Sequence, residues 1–147
     1  MAKMFASWVH GQAAAAEWQP EEFRIWGPGA YFRIAKGSDL WVHLAVPTPV
    51  LIEDRRATLH AMHYLYTTSD QGSILASVHV RDGDGRFFGR DVSGFGVHNQ
   101  GLDADNGIEI NWDGIQWGIG LSLKFANLDG AGVFALTAAG GDFYHDI

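Results

Sequence analysis

The sequence predicts an all-β fold: an antiparallel two-sheet β-sandwich, jelly-roll-like, of about nine strands with little or no helix. A closed barrel is the alternative arrangement of the same strands. Three observations point there. Glycine supplies 19 of 147 residues, against a usual share of about 7%, and glycine serves tight turns while penalising helix interiors. β-Branched and aromatic residues are plentiful. Several segments alternate apolar and polar side chains with the period of two that a half-buried strand requires.

Met4–Val9 and Tyr31–Ala35 are the first candidate strands. Between them Ala13–Glu17 has helical character until Trp18-Gln-Pro20 interrupts it, and Pro20–Phe23 suits a single turn. Leu40–Val46 sets Leu40, Val42, Leu44 and Val46 against Trp41, His43 and Ala45. Pro47-Thr-Pro49 ends that strand, since proline cannot donate to a ladder. Ala57–Thr67 follows, then Ile74–Val80, with Ile74, Ala76, Val78 and Val80 on its apolar side. Asp82-Gly-Asp-Gly85 has hairpin-turn chemistry and leads into Arg86–Val92. Ile108–Trp112 and Ile115–Phe125, separated by the turn dipeptide Asp113-Gly114, place Trp112 and Trp117 on aliphatic faces, where core packing accounts for them. Val133–Ala139 closes the series after the turn at Asp129-Gly130. Two connections exceed what hairpins need, about Gly11–Ala30 and about Ser93–Gly107, and long loops in a compact domain are usually functional or disordered.

Composition excludes several classes. Net charge is −7, from 10 Lys+Arg against 17 Asp+Glu, with no basic cluster, which argues against a nucleic-acid binder. Zero cysteine removes disulfides, thiolate metal sites and cysteine nucleophiles together. No apolar run approaches the ~18 residues of a membrane helix, and no secretory leader is seen, so the expectation is a single cytoplasmic domain over 1–147 without a membrane partner.

Chemistry-bearing patterns are sparse. His60-Ala-Met-His63 has a helical chelating interval, but on a strand those residues point to opposite faces. The loop residues Asp103, Asp105 and Asn106, with Asn99 nearby, offer oxygen ligands that could suit calcium, although a tight turn explains them as well and no other cofactor is implied. No Gly-x-Ser-x-Gly elbow occurs, and the carboxylate pair Glu109 and Asp113 is of a kind any acidic sandwich offers. Catalysis therefore ranks third among the readings, as a hydrolase.

Aromatic residues make up 13% of the chain. Trp18 and Trp26 fall in the first long loop, and Trp41 with His43 lies opposite an aliphatic stripe. His98, Asn99, Asp103 and Asp105 fall in the second loop. Aromatics beside acids, amides and histidines suit sugar rings and their hydroxyls, so the leading expectation is a non-enzymatic, lectin-like module binding carbohydrate through these eight residues. Aromatics are also enriched at subunit contacts, and Gly118, Gly120 and Ser122 make a flat outward face. A self-assembling homo-oligomer is thus the alternative, with a core role for the aromatics the plainest account of all.

Ser7-Trp-Val-His-Gly11, Trp41-Val-His-Leu-Ala-Val-Pro-Thr-Pro-Val50 and Leu136-Thr-Ala-Ala-Gly-Gly-Asp-Phe143 resemble a small bacterial family. Its members open on Trp-Val-His-Gly and carry Trp-x-His-x-x-x-Pro-Thr-Pro. That family has no established activity, so the resemblance implies a single compact domain standing alone and assigns no site residue.

Overall fold

In the computed structural model, which describes residues 2–146, the chain is all-β, with one short 3-10 turn at Gly11–Ala13. The strands are β1 (Ala2–His10), β2 (Ala15–Ala16), β3 (Glu22–Trp26), β4 (Gly29–Arg33), β5 (Asp39–Val46), β6 (Leu51–Ile52), β7 (Arg55–Arg56), β8 (Thr58–Thr68), β9 (Ser73–Asp82), β10 (Gly85–Gly94), β11 (Val97–His98), β12 (Gly107–Trp112), β13 (Ile119–Asn127) and β14 (Val133–Asp146). They form two antiparallel sheets that stack as a sandwich, plus the small hairpin β6–β7. Sheet A runs β11-β8-β14-β4-β3, with β12 also on β8 and β1 also on β14; sheet B runs β10-β9-β13-β5-β2.

The period-two stripes become the core. Leu40, Val42, Leu44 and Val46 of β5 meet Phe125, Leu123, Leu121 and Ile119 of β13 across the ladder, all buried. Sheet A answers with Tyr64, Tyr66, Phe134, Leu136 and Phe143, also buried. Phe32 stacks on Phe134 at 5.4 Å and meets Phe125 edge-on at 5.0 Å, tying the sheets together through ring contacts of the favoured kinds.

Several strands depart from the sequence expectation, each for a local reason. The Ala13–Glu17 helix does not form. Gly11 lies so close to the Leu136 carbonyl that a Cβ would sit 1.9 Å from its oxygen, and His10 Nδ1 caps the Gln12 N–H, after which Ala15 and Ala16 pair with His43 and Val42. The first long loop is largely structured, because Glu22–Trp26 and Gly29–Arg33 pair as a hairpin; the turn expected at Pro20–Phe23 gives way to β3. In β9 the bulge at Ala76 turns Leu75 rather than Ile74 into the core. Irregular pairing near Leu59–Ala61 does the same for His60 and His63, which reach the outer face of sheet A together instead of opposing each other.

The largest departure concerns Ile115–Phe125. The strand begins only at Ile119. Ile115 is buried, but Trp117 is 76% exposed and Trp112 37% exposed, so the core role expected for the two tryptophans is corrected. Trp112 does face the sandwich interior, opposite buried Leu59, but it does so on an edge strand where the gap between sheets opens to solvent.

Candidate functional site

The residues named from the sequence are dispersed. Trp26 sits on β3 and His98 on β11, at opposite ends of sheet A with β8, β14 and β4 between them. Four strand spacings of about 4.8 Å separate such edges by roughly 19 Å. Trp26 meets Tyr31 edge-on, under the Arg24 guanidinium. Trp18 lines a separate cavity of about 260 Å³ with Glu21, Ile34 and Asp39. Trp41 and His43 belong to sheet B. The two long segments therefore do not close around one ligand.

The Phe95–Gly107 segment is organised by its own polar atoms. Buried Asn106 accepts the Asp103 N–H through Oδ1 and donates through Nδ2 to the carbonyls of His98 and Gly101. Asp103 accepts His98 Nδ1 at 2.9 Å on one oxygen and the Asp105 N–H on the other, while His98 Nε2 donates to the Phe95 carbonyl. With a carboxylate on one ring nitrogen and a carbonyl on the other, both nitrogens must donate, which is the imidazolium form. Burial opposes that charge, but the bonds to Asp103 and Phe95 and the nearby acids outweigh it, and the His98 pKa is raised. For Asp103 burial again opposes ionisation, yet His98 and the Asp105 N–H hold its carboxyl below the ordinary value.

His98, Asp103 and Asp105 carry potential ligand atoms within 4.8 Å of one another. His98 and Asp103 are already bonded to each other and to the loop, and Asn106 has no donor or acceptor to spare, whereas the exposed Asp105 carboxylate takes no part in these bonds. Calcium takes six to eight oxygens, of which the Asp103 and Asp105 carboxylates would supply only part. Asn99 Oδ1 is buried without a hydrogen-bond partner, beside but outside this network.

On the outer face of sheet B, Ser122 Oγ lies 2.7 Å from His43 Nδ1, and His43 Nε2 lies 3.3 Å from Glu17 Oε1. The composition is that of a serine-hydrolase triad, but the setting lacks its essential electrostatics. Ser122 is on β13, paired on both sides, so the surrounding backbone N–H groups are committed to the ladder and none can hold an oxyanion. On sheet A, His63 Nε2 meets Asp142 at 3.0 Å and its ring stacks with Trp8, while His60 joins Asn111 and, through it, Glu109. Asp113 is turned away to Thr58. Neither His60 nor His63 contacts a hydroxyl nucleophile among the described residues.

The assembly that sequence reasoning missed lies where the edges of the two sheets face each other. Trp112 of β12 stacks on Phe87 of β10, centroids 4.3 Å apart and planes within 12°. Asp82, at the end of β9, accepts the N–H groups of Gln116, Trp117 and Gly118 and the indole Nε1–H of Trp112. Burial works against its charge, but those four donors keep its carboxyl below the ordinary range. Gly83, at φ 64°, lets the Trp117 ring lie against the hairpin turn, since a Cβ there would come within 2.9 Å of Trp117 Cδ1. One carboxylate thus fixes both tryptophans, with a cavity of about 280 Å³ between them bordered by Arg86 and Gln116. The available signal was Asp113-Gly114: a tight turn there delays the start of the next strand, taking Trp117 off the ladder.

No protein-family model matches the chain, and no curated protein matches it significantly. Among solved structures, "Structure of infectious bursal disease virus Gx strain" is similar at 16% identity and a TM-score of 0.36, over 97% of this chain and 32% of that one. The chain spans about a third of the length of that protein, and a likeness this distant assigns no role.

Proposed function

We propose that this sandwich is a non-enzymatic interaction protein whose copies associate through the open edge of β1. Among the described residues β1 pairs with β14 alone, leaving nine residues of backbone edge. Met4, Phe5 and Trp8 on it are 58%, 40% and 38% exposed, which is the observation that carries the reading. Unprotected apolar edges are templates for another strand. The segment Ala2–His10 also contains no acidic residue, in a chain with 17, so self-repulsion is least there.

A two-fold contact is self-complementary. Centring it on Ala6 pairs Met4 of one copy with Trp8 of the other, both on the outer face. Because the chain has no cysteine, Ala6→Cys is a clean probe. Opposed residues of an antiparallel pair have the Cα spacing a disulfide needs. The expected result is a dimer mass by light scattering, a covalent dimer on oxidation of Ala6→Cys, and a monomer for Met4→Lys/Phe5→Lys. A wild-type monomer at all concentrations rejects the proposal. So does a dimer that the double lysine variant leaves intact.

A further inference from the structure

The geometry points to a binding site for a neutral pyranose ring, part of a glycan, at the Trp112–Trp117 end of the sandwich. The inference goes beyond β1 pairing and does not depend on it, since β12 and β1 lie at opposite ends of the ladder β12-β8-β14-β1. Side chains at a surface ordinarily hop between rotamers, but here two indoles are immobilised in the open. Trp112 is held by stacking on Phe87 and by its Nε1–H to Asp82. Trp117 is held by its Asp82-bound main chain and by contact with the Gly83 turn. Rings ordered before a ligand arrives reduce the entropy lost on binding. Trp117 nonetheless stays 76% exposed, so its flat face is available.

The cavity between them has a volume of about 280 Å³, just under the ~300 Å³ at which small-ligand pockets begin. Its rim supplies both kinds of polar partner. Gln116 spends Nε2 on the Gly114 carbonyl, which leaves Oε1 as an acceptor. Arg86 directs one N–H at His79 Nε2 and keeps the rest of its five donors. A pyranose has the matching surfaces: a C–H face that stacks on an indole, and an edge of hydroxyls that both donate and accept. A purely apolar ligand would cover the guanidinium and the amide without bonding either, which is unfavourable.

Charge selects the neutral class. Asp82 and Arg86 are the charged residues bordering the cavity, and they cancel. The balance persists when the adjoining cavity that shares Arg86 is included, with Arg86 and Arg90 against Asp82 and Asp91. His79 has its pKa lowered, by burial first and then by Arg86 and Arg81, and adds no charge near pH 7. On a chain of net charge −7, nothing there draws a polyanion, and no excess of carboxylate draws a cation.

Affinity electrophoresis of the full chain tests this, in gels containing laminarin, dextran, galactomannan, arabinoxylan or the acidic polymer polygalacturonate. At least one neutral polymer should retard the protein more than polygalacturonate does. Added salt should leave that retardation unchanged, because no net charge is neutralised. Trp117→Ala should weaken it about tenfold, the equivalent of one good stacking contact. Gln116→Ala should weaken it about threefold, as for one exposed hydrogen bond. Met4→Lys/Phe5→Lys should leave it intact, which separates this site from association through β1. Retardation by none of the five overturns the proposal, and so does retardation by polygalacturonate that matches or exceeds the best neutral polymer. Retardation that survives Trp117→Ala overturns it too, because binding then lies elsewhere. A lower mass by light scattering for Trp117→Ala would also overturn it, by making the platform a contact between copies. Trp117 and Gln116 are both exposed, so each variant is expected to fold, and circular dichroism of each checks it.

Discussion

Two irregular segments of this sandwich are built with the same device and end with opposite surfaces. In Phe95–Gly107, Asp103 collects donors from His98 and the Asp105 N–H, and Asn106 ties the remaining ends to carbonyls. In Asp113–Gly118, Asp82 collects three backbone donors and an indole N–H. The first segment spends most of its polar atoms on itself, with His98, Asp103 and Asn106 bonded to one another and to the loop backbone. The second spends one carboxylate and leaves two aromatic rings presented to solvent. Residue types alone suggested the reverse assignment: a binding loop at His98–Asp105 and core packing at Trp112 and Trp117. What separates the two is where the hydrogen-bond capacity goes.

The contrast breaks most visibly at Asn106. Asn106→Ala strands a backbone donor and two carbonyls, all part-buried, and each unmet group costs about 1–3 kcal/mol where water does not reach it. A loss of about 3 kcal/mol in urea denaturation is expected. A loss below about 1 kcal/mol would mean that water satisfies the loop and that its polar atoms are available to ligands after all. Asp82→Ala comes next, at about 1–2 kcal/mol because its bonds are charge-assisted but solvent-screened. It should also red-shift the tryptophan emission and speed exchange of the Trp112 indole proton. An unchanged emission spectrum would show that the rings are not held by Asp82.

Much of the fold was legible because it obeys one rule. Alternation in Leu40–Val46 and in Leu121–Phe125 maps directly onto buried stripes, since both strands lie in the middle of a sheet with one covered face. The rule fails where a strand slips or ends. The bulge at Ala76 moves Leu75 inward, and irregular pairing near Leu59–Ala61 puts His60 and His63 on one face, events that depend on the partner strand and leave no period in the sequence. The candidate site was illegible for the same reason. Trp117 alternates correctly with Ile115 and Ile119, but Asp82, 35 residues earlier, captures its N–H and lifts it off the ladder. The His98 cluster was legible as a group of polar residues, though its closure onto Asn106 follows only from three-dimensional proximity.

Titration sharpens the comparison at smaller amplitude. The His98 pKa is raised above its ordinary 6.5, so its contribution is complete below that pH and is lost as pH rises through the folded value. The Asp103 pKa is depressed below 3.8, so its contribution is complete above that pH and is lost as pH falls through the folded value. The loop is thus tightest between about pH 4 and 6.5. Outside that window the loss is under about 1 kcal/mol, as for a solvent-screened ion pair. Amide exchange at Asp105, followed across pH, should be slowest inside the window. A His98 titration by NMR with a midpoint below 6.5 contradicts the imidazolium assignment.

The smallest expected effect separates packing from presentation most cleanly. If Trp117 contributed to the core, truncating it would cost several kcal/mol, as large-to-small aromatic changes in cores do at about 3–5 kcal/mol. With 76% of the residue exposed, little apolar area is lost, and Trp117→Ala should lower stability by no more than about 0.5 kcal/mol. The backbone anchor survives the substitution, because the Trp117 contact to Asp82 is made by the main-chain N–H. The Trp112 indole keeps its own bond to the same carboxylate and its stacking on Phe87. A near-neutral urea midpoint together with an intact Trp112 emission band would place the exposed ring outside the folding energetics. A loss of about 2 kcal/mol or more would instead show that the indole closes the gap between β10 and β12 as packing.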